Sequence, residues 1–134
     1  EPRGNTYMAN TGKALWALAK INSPNLALTL DFGHSLAALE NPAEAAVLAM
    51  REGRLKQIHI NDNRRDWDLD LVPGSATVWE HVEFYYWLRK LGYDGWCRCI
   101  GLARSSRTSS SPRAPKRCCA ARTATWRCWE RSGT

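Results

Sequence analysis

Apolar residues recur at helical spacing over residues 6–21, where Met8, Leu15, Trp16, Leu18 and Ala19 suit one side of a helix loosened near its start by Gly12. The turn Asn22-Ser23-Pro24-Asn25 follows, and then the pattern changes. Residues 26–32 (LALTLDF) form a short apolar run bounded by turn residues, as expected of a strand buried on both faces. Asn41-Pro42-Ala43-Glu44 offers an Asn cap, a proline at the first helical position and an acid three residues after the cap, so a helix is expected to about residue 51, ended by Gly53. Residues 55–60 read as a second strand and residues 61–70 as a polar stretch too charged to be core. Thr77 and Glu80 have the spacing of a capping box opening a helix with Val78, Val82, Phe84, Tyr85, Leu88 and Leu91, stopped by Gly92. Residues 96–100 would be a third strand. The order helix–strand, three times over, predicts an α/β fold with parallel strands and right-handed crossovers, part of a barrel or of a doubly wound sheet.

Beyond Ile100 the periodicity is lost. Residues 101–134 consist largely of Arg, Ser, Ala, Thr, Pro and Cys, and two readings stay open for them: a disordered basic tail, or a change of reading frame near residue 97. The expected organisation is therefore a structured part over 1–100 and an irregular C-terminal tail over 101–134. This division explains the formal charge of +6, since residues 1–100 hold 11 Lys/Arg against 12 Asp/Glu while the tail holds 8 against Glu130 alone. A nucleic-acid-binding role would rest on the tail only, which lacks interleaved aromatics until Trp126 and Trp129, so nucleic acid is not the expected partner. All five cysteines lie at or after Cys97, which leaves the body without a disulfide framework and fits a cytoplasmic location. No apolar run is long enough to span a membrane.

Candidate chemistry sits at the strand ends. Asp31-Phe32-Gly33-His34 follows the first strand, His59-Ile60-Asn61 ends the second, and Asp68-Leu69-Asp70-Leu71-Val72-Pro73-Gly74 comes shortly after. Strand C-termini are where a parallel α/β barrel gathers its ligands. Asp31, His34, His59, Asp68 and Asp70 make a mixed oxygen and nitrogen donor set without thiolate, suited to Mg, Mn or Co. His81 is expected to be a partly exposed helix residue, and Arg64-Arg65 beside Asp66 a surface charge pair. Trp79, Phe84, Tyr85, Tyr86 and Trp87 are read as core plus subunit contact, and Trp67 as a cap over the pocket or a ring packed under its own loop.

On these motifs the chain resembles the xylose isomerase-like barrels, most closely the sugar isomerases that include xylose and L-rhamnose isomerase. Glu1-Pro2-Arg3-Gly4 is similar to the end of the family's Glu-x-Lys-Pro-Asn-Glu-Pro-Arg-Gly motif after strand five. Asp31-Phe32-Gly33-His34 resembles its acid-x-Gly-His motif after strand six, and residues 68–74 its Asp-x-Asp-Leu-x-x-Gly motif after strand seven. His59 matches a ligand that is His in the rhamnose isomerase branch. The resemblance implies a partial TIM (β/α)8 barrel, roughly strands six to eight with their helices.

It further implies two divalent ions per complete site, with Asp31 and His59 on a structural ion, His34, Asp68 and Asp70 on a catalytic one, and Asp70 as proton shuttle. Glu1, Arg3 and Trp67 would contact a small sugar. The implied reaction is aldose–ketose isomerisation by a metal-assisted hydride shift, in a parent enzyme expected to be a homo-oligomer. The motif's first Glu and its Lys are not found, nor is an Asp after the third strand. With sheet edges left open, the polypeptide alone is expected to be aggregation-prone or molten and without turnover, as an inert gene fragment would also be. A sugar epimerase, and an apurinic endonuclease of the same fold, remain the competing enzyme readings.

Overall fold

The computed structural model describes residues 7–100 and the short strand at 116–117. Three strands, β1 (Leu28–Asp31), β2 (Leu55–Ile60) and β3 (Trp96–Cys99), lie side by side in parallel, and β4 (Lys116–Arg117) pairs antiparallel with the outer edge of β3. The helices are α1 (Thr11–Ile21), α2 (Phe32–Ala37), α3 (Pro42–Arg51) and α4 (Val78–Lys90). This is the α/β alternation with parallel strands that the hydrophobic pattern predicts. The expectation for residues 101–134 lies outside the described residues apart from β4, as do Glu1 and Arg3.

Local chemistry sets most boundaries. Helix α1 begins at Thr11, later than its apolar pattern suggests, because Asn10 is extended and its side chain accepts the Lys13 amide at 2.9 Å. Glu40 reinforces that start: its carboxylate accepts the Thr11 amide at 3.0 Å and the Thr11 hydroxyl at 2.9 Å, placing an anion at the positive end of the helix. Asn41 caps α3 by accepting from Ala43 and Glu44 at 2.8 and 3.2 Å, with Pro42 at the first helical position, and Gly53 turns the chain away at φ +64°.

The core lies between the sheet and α3 and α4. Leu30, Ile58 and Ile60 from the strands meet Phe32 and Leu36 of α2, four alanines of α3 (Ala43, Ala45, Ala46, Ala49), and Phe84 and Leu88 of α4. The alanines leave room for the Phe32 and Phe84 rings, which meet edge to face with centroids 5.1 Å apart. Of the aromatic set read as core plus subunit contact, Phe84 is fully buried in the core whereas Trp79 and Tyr86 stand exposed.

The polar stretch after β2 departs from expectation. Asn61, Asp62 and Asn63 are fully buried. Asp62 closes a loop by exchanging backbone hydrogen bonds with Leu71 at 3.0 and 2.8 Å, and its carboxylate accepts from the Ala76 amide, the Thr77 amide and the Thr77 hydroxyl at 2.8, 3.0 and 2.7 Å. The anion that anchors the segment leading into α4 therefore comes from Asp62. Thr77 makes no side-chain cap of its own, and Glu80, the expected capping-box partner, accepts from Arg65 at 2.9 Å instead. Arg65 is thus an ion-pair partner of α4, not half of a surface pair with Asp66. His81 is buried too: its ring lies 3.8 Å from that of Phe32 and its Nδ1 donates to the Thr77 carbonyl at 3.0 Å.

Burial alone would raise the Asp62 pKa, but the hydrogen bonds from Thr77 and Ala76, helped by attraction to His81, hold it below the usual carboxylate range. A carboxyl whose folded pKa is depressed adds stability above its unfolded value of about 3.9, and that stability is lost as the pH falls through the lower folded value. Asp62→Asn is expected to cost about 1.5–3 kcal/mol at pH 7. In urea denaturation series the gap to the unaltered chain should narrow steadily below about pH 4.

Candidate functional site

Strand register brings the first two candidate residues together. Asp31 and His59 are direct partners across the parallel β1–β2 pair, and the Asp31 carboxylate (Oδ2) lies 3.4 Å from His59 Nδ1. The other His59 nitrogen, Nε2, is 3.0 Å from the Gln57 side-chain amide, so the ring is held from both sides. Asp31 also acts as the N-cap of α2, its Oδ1 accepting the His34 amide at 3.1 Å. The helix turn that begins at Phe32 carries His34 round to face the loop after β2.

There His34 Nε2 meets Asp68 Oδ2 at 3.1 Å. Asp70, two residues on, adopts a left-handed backbone at φ +49°, and its Oδ1 accepts from the Asn61 amide at 3.0 Å. The five predicted residues are thus arranged as two His–Asp pairs, His59 with Asp31 and His34 with Asp68, with Asp70 tied to Asn61. Among the described residues no three His, Cys, Asp or Glu side chains converge closely enough to hold an ion by themselves. Trp67 is 60% exposed on the loop.

Asp68 is the strained member of the set. Its Oδ1 is buried and has no hydrogen-bond partner. Burial pushes its carboxyl above the usual range; attraction to and a hydrogen bond from His34 pull it down, and repulsion from Asp70 and Asp31 pushes it up again. Negative charge gathers here with an acceptor left over, an environment that a bound cation would relieve.

Sequence reasoning missed the residues that hold the pairs in place. Asn61 Oδ1 accepts the Gly33 amide at 2.7 Å and Asn63 Nδ2 donates to the Gly33 carbonyl at 2.7 Å, so one peptide segment of the Asp31–His34 turn is held through both its backbone groups. Gly33 is required for this approach. A Cβ at position 33 would fall 2.6 Å from Asn61 Oδ1 and 2.9 Å from its side-chain carbon. The available signal was the spacing Asn61-x-Asn63 directly after an apolar strand, two short amides where strand burial continues.

Two outcomes follow. Gly33→Ala should destabilise the chain by about 1–3 kcal/mol through overpacking against Asn61, measured by urea denaturation. Asp68→Asn, with chelator present, should instead raise stability at pH 7 by about 1 kcal/mol, since it removes a charge from a poorly solvated position. An acid with a raised folded pKa weakens the fold as the pH climbs from its unfolded value through its folded one, so this gain should vanish toward pH 4.

No helix among the described residues is long and apolar enough to cross a membrane. The family model for the xylose isomerase-like TIM barrel matches residues 1–116. A xylose isomerase of Thermus thermophilus is 32% identical over 97 residues, 71% of this chain and 25% of that protein. The chain spans a quarter of the length of this curated relative. With parallel strands that deliver paired His and Asp side chains at their C-terminal ends, and a match across most of its length, the chain belongs to the xylose isomerase-like TIM barrel family.

Proposed function

We propose that this chain carries part of the site of a divalent-metal-dependent sugar isomerase, an enzyme interconverting an aldose and a ketose. The observation behind the reading is the placement of two His–Asp pairs, Asp31–His59 at the C-terminal ends of adjacent parallel strands at 3.4 Å and His34–Asp68 on the turn and loop that follow those strands at 3.1 Å, in a member of this family. In this reading β1, β2 and β3 are strands six to eight of the barrel.

The donor set fits Mn, Mg or Co, with oxygen and imidazole ligands and a buried carboxylate oxygen, Asp68 Oδ1, left without a partner. His34, Asp68 and Asp70 would hold one ion, and Asp31 and His59 would contribute to a second. Such ions stabilise negative charge developing on two neighbouring sugar oxygens without a strong base.

The chain's own residues supply orientation. Asp31 fixes the His59 ring and, through the His34 amide, the start of α2. Asp68 holds the His34 ring toward the loop. Asp70 is the carboxylate that moves a proton between sugar oxygens, with its Oδ1 steadied by Asn61. Trp67, exposed on the same loop, offers an apolar face to the sugar.

Titrating the full chain with Mn²⁺ and following the free ion by electron paramagnetic resonance tests the metal arm of this reading. Uptake should weaken at least about tenfold in Asp68→Asn and in His34→Gln. Equal affinity in all three proteins would overturn it. For the reaction, a complete barrel carrying residues 7–100 should convert xylose or rhamnose to the ketose in the presence of Mn²⁺. Nicking of abasic DNA in its place would transfer the site to phosphodiester hydrolysis.

A further inference from the structure

We infer that Asn61 is a positioning residue that locks the two arms of the site, the Asp31–His34 turn and the Asp68–Asp70 loop, into one geometry; what the arms do rests on the reading above. Asn61 is fully buried and touches both arms, its Oδ1 accepting from Gly33 N at 2.7 Å and its Nδ2 donating to Asp70 Oδ1 at 3.0 Å. The orientation of the amide follows from its partners. A backbone N–H can only donate and an ionised carboxylate can only accept, so no flipped amide satisfies both.

The second direct link between the arms is the His34–Asp68 contact, whose side chains are 31% and 21% exposed and therefore partly screened by water. The Asp62–Leu71 bridge closes the base of the loop but does not reach the Asp31–His34 turn. Asn63 holds the Gly33 carbonyl yet makes its other side-chain bond to the Arg65 amide, away from Asp70. Asn61 is thus the buried side chain that sets Asp70 relative to His34, and a small change there shifts one arm against the other.

The experiment exchanges the two partners in the full chain. Asn61→Asp keeps an acceptor for Gly33 but turns a carboxylate toward Asp70, whereas the double variant Asn61→Asp/Asp70→Asn restores a donor facing an acceptor. At pH 7, Asn61→Asp should lower the folding equilibrium constant at least about tenfold, and the exchange should recover most of that loss, a coupling typical of contacting polar groups. Effects that simply add overturn the inference.

Should Asn61→Asp fail to fold, hydrogen exchange on the unaltered chain decides the matter. The Gly33 amide should exchange as slowly as those of the β1–β2 ladder, and a fast-exchanging amide overturns the inference. Positioning is separated from plain stability by Mn²⁺ affinity in the folded variants. Asn61→Asp should bind less tightly although it adds a carboxylate beside the site, and tighter binding overturns the role assigned to Asn61. If the unaltered chain takes up no Mn²⁺ at all, the metal reading fails while the stability cycle still decides the coupling.

Discussion

Three consecutive polar residues, Asn61, Asp62 and Asn63, are completely withdrawn from water at the point where β2 ends. A buried amide or carboxylate without partners costs more than a typical hydrogen bond returns, so each of these side chains dictates where its partners must be. Asn61 and Asn63 draw in the turn after β1 through Gly33, and Asp62 draws in the start of α4 through Ala76 and Thr77. The loop with Asp68 and Asp70 is closed by the backbone of the same Asp62. The apolar core joins helices to sheet; this buried polar segment joins the site to the core.

Two carboxylates within that region have opposite surroundings. Asp62 is met by four donors and is more acidic than usual, while Asp68 has a partner for one oxygen only and is less acidic. The first contributes stability at neutral pH and the second subtracts from it. The opposition is one of surroundings: the carboxylate that anchors α4 is fully satisfied, and the one facing His34 keeps an acceptor open.

Much of the architecture was legible in the chain. The Asn41–Pro42 start of α3, the apolar runs of β1 and β2 and the parallel order all follow from patterns a few residues long, because capping and burial on both faces are local properties. Helix α2 was not legible: at six residues, with Gly33 and His34 inside, it has no amphipathic period, and it forms because Asp31 caps it and the sheet packs against it. The reading of His81 as a partly exposed residue failed for a related reason, since what buries it is the Phe32 ring 49 positions away in sequence that α2 lays against α4. The candidate residues were singled out from their types and spacing. Their pairing was not, because Asp31 beside His59 is a matter of strand register and His34 beside Asp68 of where a loop folds back.

Position 70 carries two independent requirements. Its backbone sits in the left-handed region, which glycine, asparagine and aspartate enter at little cost and branched side chains do not. Its side chain must also offer an acceptor oxygen to the Asn61 amide. Glycine meets the first condition without the second, glutamate the second without the first. The overlap leaves aspartate and asparagine, and of that pair only aspartate brings a negative charge, so conformation and hydrogen bonding narrow the alphabet to two letters before electrostatics separates them.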